Sequence, residues 1–278
     1  MNPNAMNLVA VHAQQTGGAL HITLNRPEAR NAMSLQMVDE LRQLLAAAEA
    51  SAGTPEAVRV VVLRGAGGHF CAGADLKDMA GVRMQSMQKA KDDPTDPIAQ
   101  ANAAFGRLCA AYSSTPLAVV AMLEGTVMGG GFGLACVADV AIATDTASFR
   151  LPETGLGVVP AQIAPFLVER LGYSQAKRLA VTGGRLNASA ALQVGLVHMV
   201  VATADVHEVL DQVLADILAC APAALGATKA LIAKARLQAP LDLIDEAAAV
   251  FSAAAQGPEG IEGMTAFMQK RKPQWAQT

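Results

Sequence analysis

Residues 125–138 read Gly-Thr-Val-Met-Gly-Gly-Gly-Phe-Gly-Leu-Ala-Cys-Val-Ala, an uncharged apolar run bounded by Glu124 and Asp139. Three consecutive glycines, Gly129, Gly130 and Gly131, sit where an apolar strand, Leu117 to Met122, hands over to a helix. A glycine inside a helix costs about 1 kcal/mol relative to alanine, so three at a helix start need a reason. One reason is chemical: a helix N-terminus presents unpaired N–H donors and a partial positive charge, suited to an anion or a developing oxyanion. The other is packing, because glycines let a helix approach a sheet closely. These residues alone leave both readings open. A membrane span needs about 20 apolar residues, so this shorter run reads as buried core.

Outward from that run, strand and helix signals alternate. Val9–Gln15 and Ala19–Leu24 form a predicted hairpin around Thr16-Gly17-Gly18. A polar loop with two arginines follows, Asn25-Arg26-Pro27-Glu28-Ala29-Arg30-Asn31, and Ser34 is placed to cap a helix reaching Ala50. The β-branched run Val58–Leu63 predicts a buried strand that ends in a second glycine-rich loop, from Arg64 to Lys77. Residues 82–97, polar and broken by Pro94 and Pro97, read as a mobile surface segment before a helix over Ile98–Tyr112. Short strands are expected at Val140–Ala143 and Ala147–Leu151, and from Pro160 the pattern is helical apart from a strand at Val197–Val201. Repeated strand–strand–helix units giving way to helices predict an α/β fold. The expected division is a catalytic core over residues 1–203 and a helical region over 204–278.

Composition narrows the function classes. The 278 residues are 52% hydrophobic and 16% charged with few aromatics, so apolar surface covered by other subunits is expected. A net charge of −3 gives no basis for nucleic-acid binding. Cys71, Cys109, Cys136 and Cys220 are scattered, with no CxxC pair and no Cys/His cluster, which supports neither a metal site nor a disulfide framework. Free thiols and an N-terminus without the marks of a signal peptide point to a cytoplasmic protein with no membrane segment.

Several stretches together carry a resemblance. They are Asn25-Arg26-Pro27 through Asn31-Ala32, Phe70-Cys-Ala-Gly-Ala-Asp-Leu-Lys77, Gly125 through Gly131 with Leu134 and Ala135, and Leu151-Pro-Glu153 through Gly157. Arg185 through Gly195-Leu196-Val197 and the tail from Glu262 to Arg271 complete the set. On these the chain resembles the enoyl-CoA hydratase/isomerase (crotonase) family over nearly its whole length. The resemblance implies a crotonase (ClpP-like) ββα spiral core with a helical C-terminal region, assembled as homotrimers or dimers of trimers. It implies an acyl-CoA thioester substrate, whose coenzyme A is part of the substrate, with no separate cofactor. By the family motif the backbone N–H groups of Ala74 and Gly130 form an oxyanion hole. Arg26, Arg30 and Lys77 are the expected phosphate and pantetheine contacts, Ala29, Ala72, Asp75, Leu76 and Gly133 line the substrate path, and Phe267 and Lys270 reach CoA from the tail, often from a neighbouring subunit.

One position departs from the pattern. Two-glutamate hydratases of this family carry a first Glu three residues after the middle glycine and a second about twenty residues on. Here the second is Glu153, but Gly133 occupies the first position. Glu153 must therefore activate water, deliver a proton to Cα, or both, and burial after an apolar strand is expected to raise its pKa. His69 reads as loop polarity, Asp139 as structural, Glu124 as bonded to its glycine turn, and Cys136 as a core thiol. The combination of Gly133 with Pro160-Ala161-Gln162-Ile163-Ala164-Pro165-Phe166 is similar to hydratases of 3-branched glutaconyl-CoA thioesters, either isohexenylglutaconyl-CoA from acyclic terpenes or 3-methylglutaconyl-CoA from leucine. Such a substrate has a distal carboxylate, for which Gln162, Arg150 and Arg83 are candidates. An isomerase using one base, and a non-catalytic acyl-CoA binder, are the rival readings.

Overall fold

The computed structural model describes residues 6–88 and 94–276. Two sheets organise it. The larger has six strands in the order β1 (Val11–Thr16), β2 (Ala19–Leu24), β3 (Val60–Gly65), β4 (Ala118–Leu123), β6 (Val140–Thr144) and β9 (Met199–Val201). Only the β1–β2 hairpin is antiparallel; the remaining neighbours in that sheet are parallel. The smaller sheet has the order β5 (Thr126–Met128), β7 (Ser148–Arg150), β8 (Arg185–Asn187), with β5 and β7 parallel.

The strand pairs show the repeating unit. β4 enters the large sheet, β5 enters the small one, and the helix α4 (Gly130–Val137) follows. β6 and β7 repeat the move before α5 (Ala164–Thr182). This is the crotonase spiral of ββα units, and it places each β-to-helix junction on the same side of the two sheets.

Parallel strands are covered on both faces and read as continuous apolar runs; every residue of β4 is buried. Alternation then divides the core. Val61, Leu63, Val119, Ala121 and Leu123 join the large cluster containing α1 (Leu35–Ala50) residues Met37, Leu41 and Leu44. Val60, Val62, Ala118, Val120 and Met122 face Val206, Leu210 and Leu214 of α7 (Val206–Ala219). The Ser34 hydroxyl accepts the Met37 N–H at the start of α1, as an N-cap does. On the same helix buried Glu40 accepts the N–H groups of Val9, Ala10 and Val11, tying β1 to α1. Arg59 donates to the carbonyls of Leu218 and Trp275, which fastens the C-terminal turn beside α7.

Some expectations are corrected. The stretch 82–97 is not simply a surface segment: α2 (Leu76–Gln88) carries helix through Gln88, residues 89–93 lie outside those described, and α3 (Pro97–Ser114) begins at Pro97. Proline is favourable at a first helical position, and Asp96 caps the same end through Ile98 N–H and Ala99 N–H. The helical stretch after Pro160 breaks within α5 at Gly172, whose φ of 71° only glycine adopts freely, so two helices meet there, as helices over about 161–171 and 174–181 would. β5 and β8 escaped the reading because Thr126–Met128 lies inside the apolar glycine-rich run and Arg185–Asn187 is largely polar, so neither carries an alternation that marks a strand. After α6 (Ala188–Gln193) and α7, helices α8 (Pro222–Ala235), α9 (Ile244–Gln256) and α10 (Pro258–Met268) complete the chain.

Candidate active site

The two glycine-rich loops meet edge to edge. Cys71 N–H donates to Thr126 O and Met128 N–H to Cys71 O, so residues 70–74 run parallel to β5. On the other side Met33 N–H donates to Gly73 O and Asp75 N–H to Met33 O. A Cβ built on Gly73 would lie 3.8 Å from Gly129 Cα, and one on Gly129 3.5 Å from Gly73 Cα. Two peptide units, 73–74 and 129–130, thus leave adjacent Cα atoms.

Their N–H groups are directed by their own carbonyls. In a trans peptide C=O and N–H point in opposite directions. Gly73 O is held by Met33, which turns Ala74 N–H away from that strand; Gly129 O accepts Gly133 N–H inside α4, which turns Gly130 N–H outward from the helix start. Neither N–H has an acceptor among the described residues, and Ala74 is exposed. Gly129, at φ 48° and ψ −112°, occupies a region reserved for glycine. The three glycines therefore have different tasks. Gly129 supplies the backbone turn, Gly130 an outward donor, and Gly131 a close approach, since a Cβ there would run into Cys71.

Glu153 closes the arrangement. It starts a single 3-10 turn, Glu153–Leu156, after β7, and its Oε1 would lie 3.1 Å from a Cβ on Gly129. Oε2 is buried with no hydrogen-bond partner. Burial raises the carboxyl above its ordinary range, outweighing the hydrogen bond from its own backbone N–H. A carboxylate with an idle buried oxygen, beside two unpaired N–H donors, can exchange protons with a carbon next to a carbonyl whose oxygen those donors hold.

The opposite wall is apolar. A Cβ on Gly133 would collide with Ile163 Cγ2 and meet Phe105 Cζ at 3.5 Å; the same Phe105 ring comes within 3.2 Å of a Cβ placed on Gly130. The position of the family's first glutamate is thus filled by Ile163 and Phe105. Gln162 lies across Gly106 so closely that a Cβ there would clash, and its Nε2 donates to Asn102 Oδ1 at 2.7 Å.

A matching family model, Enoyl-CoA hydratase/isomerase, covers residues 14–278. The chain belongs to the enoyl-CoA hydratase/isomerase family. It is 34% identical to YngF of Bacillus subtilis over 90% of this chain and 92% of that protein. It is 31% identical to the 2,3-dehydroadipyl-CoA hydratase of Escherichia coli K12 over 96% of this chain and 98% of the relative. A crystal structure of an enoyl-CoA hydratase/isomerase from Marinobacter aquaeolei superposes with a TM-score of 0.90 at 50% identity, covering 96% of this chain and 99% of the other.

The residues expected from sequence are not gathered in one place. Glu153, Ala74, Gly130 and Gly133 come together as described. Arg30, Leu76 and Lys77 are exposed, Ala29 and Ala72 are half-buried at the early loop, and Ala72 N–H donates to Arg30 O. Arg26 and Asp75 are bound to each other at 2.6 Å rather than presented to solvent. Burial alone would push the Asp75 carboxyl up, but Arg26 and the N–H groups of Lys77 and Asp78 outweigh it and hold it below the usual range. Phe267 and Lys270, at the end of α10, are exposed. Arg83 is exposed on α2, and Arg150 keeps a buried Nε without a partner. His69 Nδ1 accepts Thr126 N–H and so serves the loop, whereas at Glu124 it is the backbone carbonyl that does so, by accepting Phe70 N–H. Asp139 accepts Val119 N–H and pairs with Lys229. Burial raises the Cys136 thiol to about 12, as befits an inert core thiol. Phe105 was missed from sequence, because an aromatic on a helix face signals core before it signals a pocket wall.

Proposed function

We propose that the chain adds water across the α,β double bond of an enoyl-CoA, with Glu153 as its only acid/base. The observation that carries Glu153 acting alone is the closure of the Gly133 position by Ile163 and Phe105 opposite a buried, half-unpaired Glu153; the choice of hydration over isomerisation rests on the likeness of Gly133 with Pro160–Phe166 to glutaconyl-CoA hydratases. Ala74 N–H and Gly130 N–H receive the thioester oxygen. Glu153 takes a proton from the water that bonds to Cβ, and negative charge moves to that oxygen. The protonated carboxyl then returns the proton to Cα, so water is added with no net proton change. Losing one such oxyanion donor typically costs about 10²–10³ in rate.

The acyl group we assign is a 3-branched glutaconyl thioester, the isohexenyl or the 3-methyl compound. The 2,3-dehydroadipyl-CoA that gives the Escherichia coli relative its name also bears a distal carboxylate, which supports a substrate of this kind. Among the three donors considered, Gln162 is favoured. Its amide pairs with Asn102, one helical turn from the Phe105 ring that touches Gly130. The single carboxylate equally suits an isomerase that shuttles one proton between two carbons. Exposed Arg30 and Lys77 are proposed to meet the CoA phosphates, and Phe267 and Lys270 to do so from a neighbouring subunit of a trimer.

The enoyl-thioester absorbance separates these readings across a panel of glutaconyl-, 3-branched glutaconyl- and crotonyl-CoA esters. Hydration bleaches it, isomerisation of unconjugated esters raises it, and a pure binder changes nothing. Faster turnover of crotonyl-CoA than of every glutaconyl ester would overturn the substrate assignment.

A further inference from the structure

Arg26 occupies an unexpected place for a residue that its motif would send to a phosphate. Its guanidinium makes two bonds inside the fold: Nη2 to Asp75 Oδ2 at 2.6 Å, and Nη1 to Ala32 O at 2.7 Å. Ala32 O belongs to the same peptide unit as Met33 N–H. That N–H donates to Gly73 O at 2.7 Å, and Gly73 O belongs to the same peptide unit as Ala74 N–H. Two peptide planes in series thus link a fixed positive charge to the exposed N–H of Ala74.

Such a series is directional. A cation on a peptide oxygen draws electron density through the C–N bond and makes the N–H of that unit a better donor, and chains of hydrogen bonds strengthen one another, by about 10–30% per bond. Every link here points the same way, from Nη1 through Ala32–Met33 and Gly73–Ala74 toward the position assigned to the thioester oxygen. The surrounding loop holds the line in place. Arg30 and Asn31 stand at φ 48° and 57°, Arg26 N–H donates to Asn31 Oδ1, and the Asn31 amide donates to Ala66 O and His69 O. Asp75 Oδ1 meanwhile accepts Lys77 N–H at the start of α2, anchoring the far side of Ala74.

We propose that Arg26 is a positioning residue of the oxyanion hole: through the Ala32–Met33 and Gly73–Ala74 peptides it aligns and polarises Ala74 N–H, and it does not bind CoA phosphate. The proposal rests on the assignment of Ala74 as an oxyanion donor and is independent of the identity of the acyl tail.

The test uses [1-13C]butyryl-CoA, which is saturated and cannot be hydrated or isomerised, bound to the full chain. In the unaltered protein its thioester carbonyl resonance moves downfield on binding. Arg26→Met should shrink that displacement by half or more. With the best enoyl-CoA of the panel, the same variant should lose about tenfold or more in kcat while KM stays within about threefold, the pattern of an interaction made in the transition state. Arg26→Lys, which keeps a cation in reach of Ala32 O, should restore most of the displacement. Should Arg26→Met fail to fold, Arg26→Gln carries the test: it keeps an N–H donor in the loop without the charge, and should shrink the displacement as Arg26→Met does. A full displacement in Arg26→Met or in folded Arg26→Gln, or a raised KM with kcat intact, overturns the relay. No displacement in the unaltered protein removes the oxyanion assignment itself, so the two failures are distinguishable.

Discussion

Glu153 is buried with one oxygen unpaired, and in the proposed mechanism its protonation has consequences in both rate and stability. If it is the sole acid/base, Glu153→Gln should lower kcat by roughly 10²–10⁴ with little change in binding; an unaltered rate would remove it from the mechanism. Burial raises its pKa in the folded chain. A hydration that begins with the carboxylate as base should therefore rise with pH through an apparent pKa above the ordinary Glu value of about 4.3. The stability effect has the opposite sense. A carboxyl whose folded pKa is raised favours the folded state below the ordinary value, and that advantage disappears as pH rises through the folded value. Thermal melts of Glu153→Gln should match the unaltered chain near pH 4 and exceed it increasingly toward neutrality; a constant difference across that range would contradict the burial. Glu153 was legible in the sequence because Pro-Glu follows an apolar strand in a distinctive context. The ion pair of Arg26 with Asp75 was not, since a sequence shows that a charge exists without showing which way the loop turns it.

At the scale of elements, glycines decide how closely α3, α4 and the entry to α5 approach. Gly133 in α4 receives Ile163, Gly106 in α3 receives Gln162, and Gly130 receives the edge of Phe105. Gly133→Ala forces a methyl into Ile163 and should destabilise by about 1–3 kcal/mol, as overpacking of a well-filled core does. Ile163→Ala removes the obstructing carbons, so combining the two should recover part of the loss, with a coupling above about 0.5 kcal/mol in a double-mutant cycle measured by denaturant unfolding. Additive losses would mean that the two residues do not share the slot. The sequence showed that a glutamate is missing at Gly133 but not what fills its place, because the residue that fills it lies thirty positions on and arrives only through packing. Element type was legible wherever the pattern was long: α1 with its Ser34 cap and the β2 strand Ala19–Leu24 match the expected bounds. Boundaries blurred at β7 and β9, where expected five-residue strands pair over three, and where prolines suggested loop at residues 82–97 although Pro97 opens a helix.

The whole molecule carries more apolar surface than one chain can cover. α8 and α9 have no fully buried residue, although both are largely apolar helices. Phe251 is 74% exposed, Leu237 83% and Phe267 85%, alongside Leu241 and Met268. Apolar residues scattered singly need no explanation, but successive helices presenting them in one C-terminal region leave a face that water penalises, at roughly 25 cal/mol per Å² of apolar area. A symmetric assembly is the economical way to cover such a face, and we propose that it is a trimer or a pair of trimers. Light scattering at micromolar concentration should give three or six times the chain mass of 28.6 kDa. Phe251→Glu, placed in the middle of α9, should shift the mass toward a single chain while leaving the helical circular dichroism in place, because this side chain is 74% exposed in its own protomer. We propose that the assembly is also tied to catalysis through the tail. If Phe267 and Lys270 reach CoA across a subunit boundary, the same substitution should raise KM for CoA esters and leave the Ala74, Gly130 and Glu153 arrangement able to turn over at saturation. A monomeric unaltered chain would show that the exposed helices serve another purpose, and a Phe251→Glu monomer with unchanged KM would place the tail contacts within one protomer.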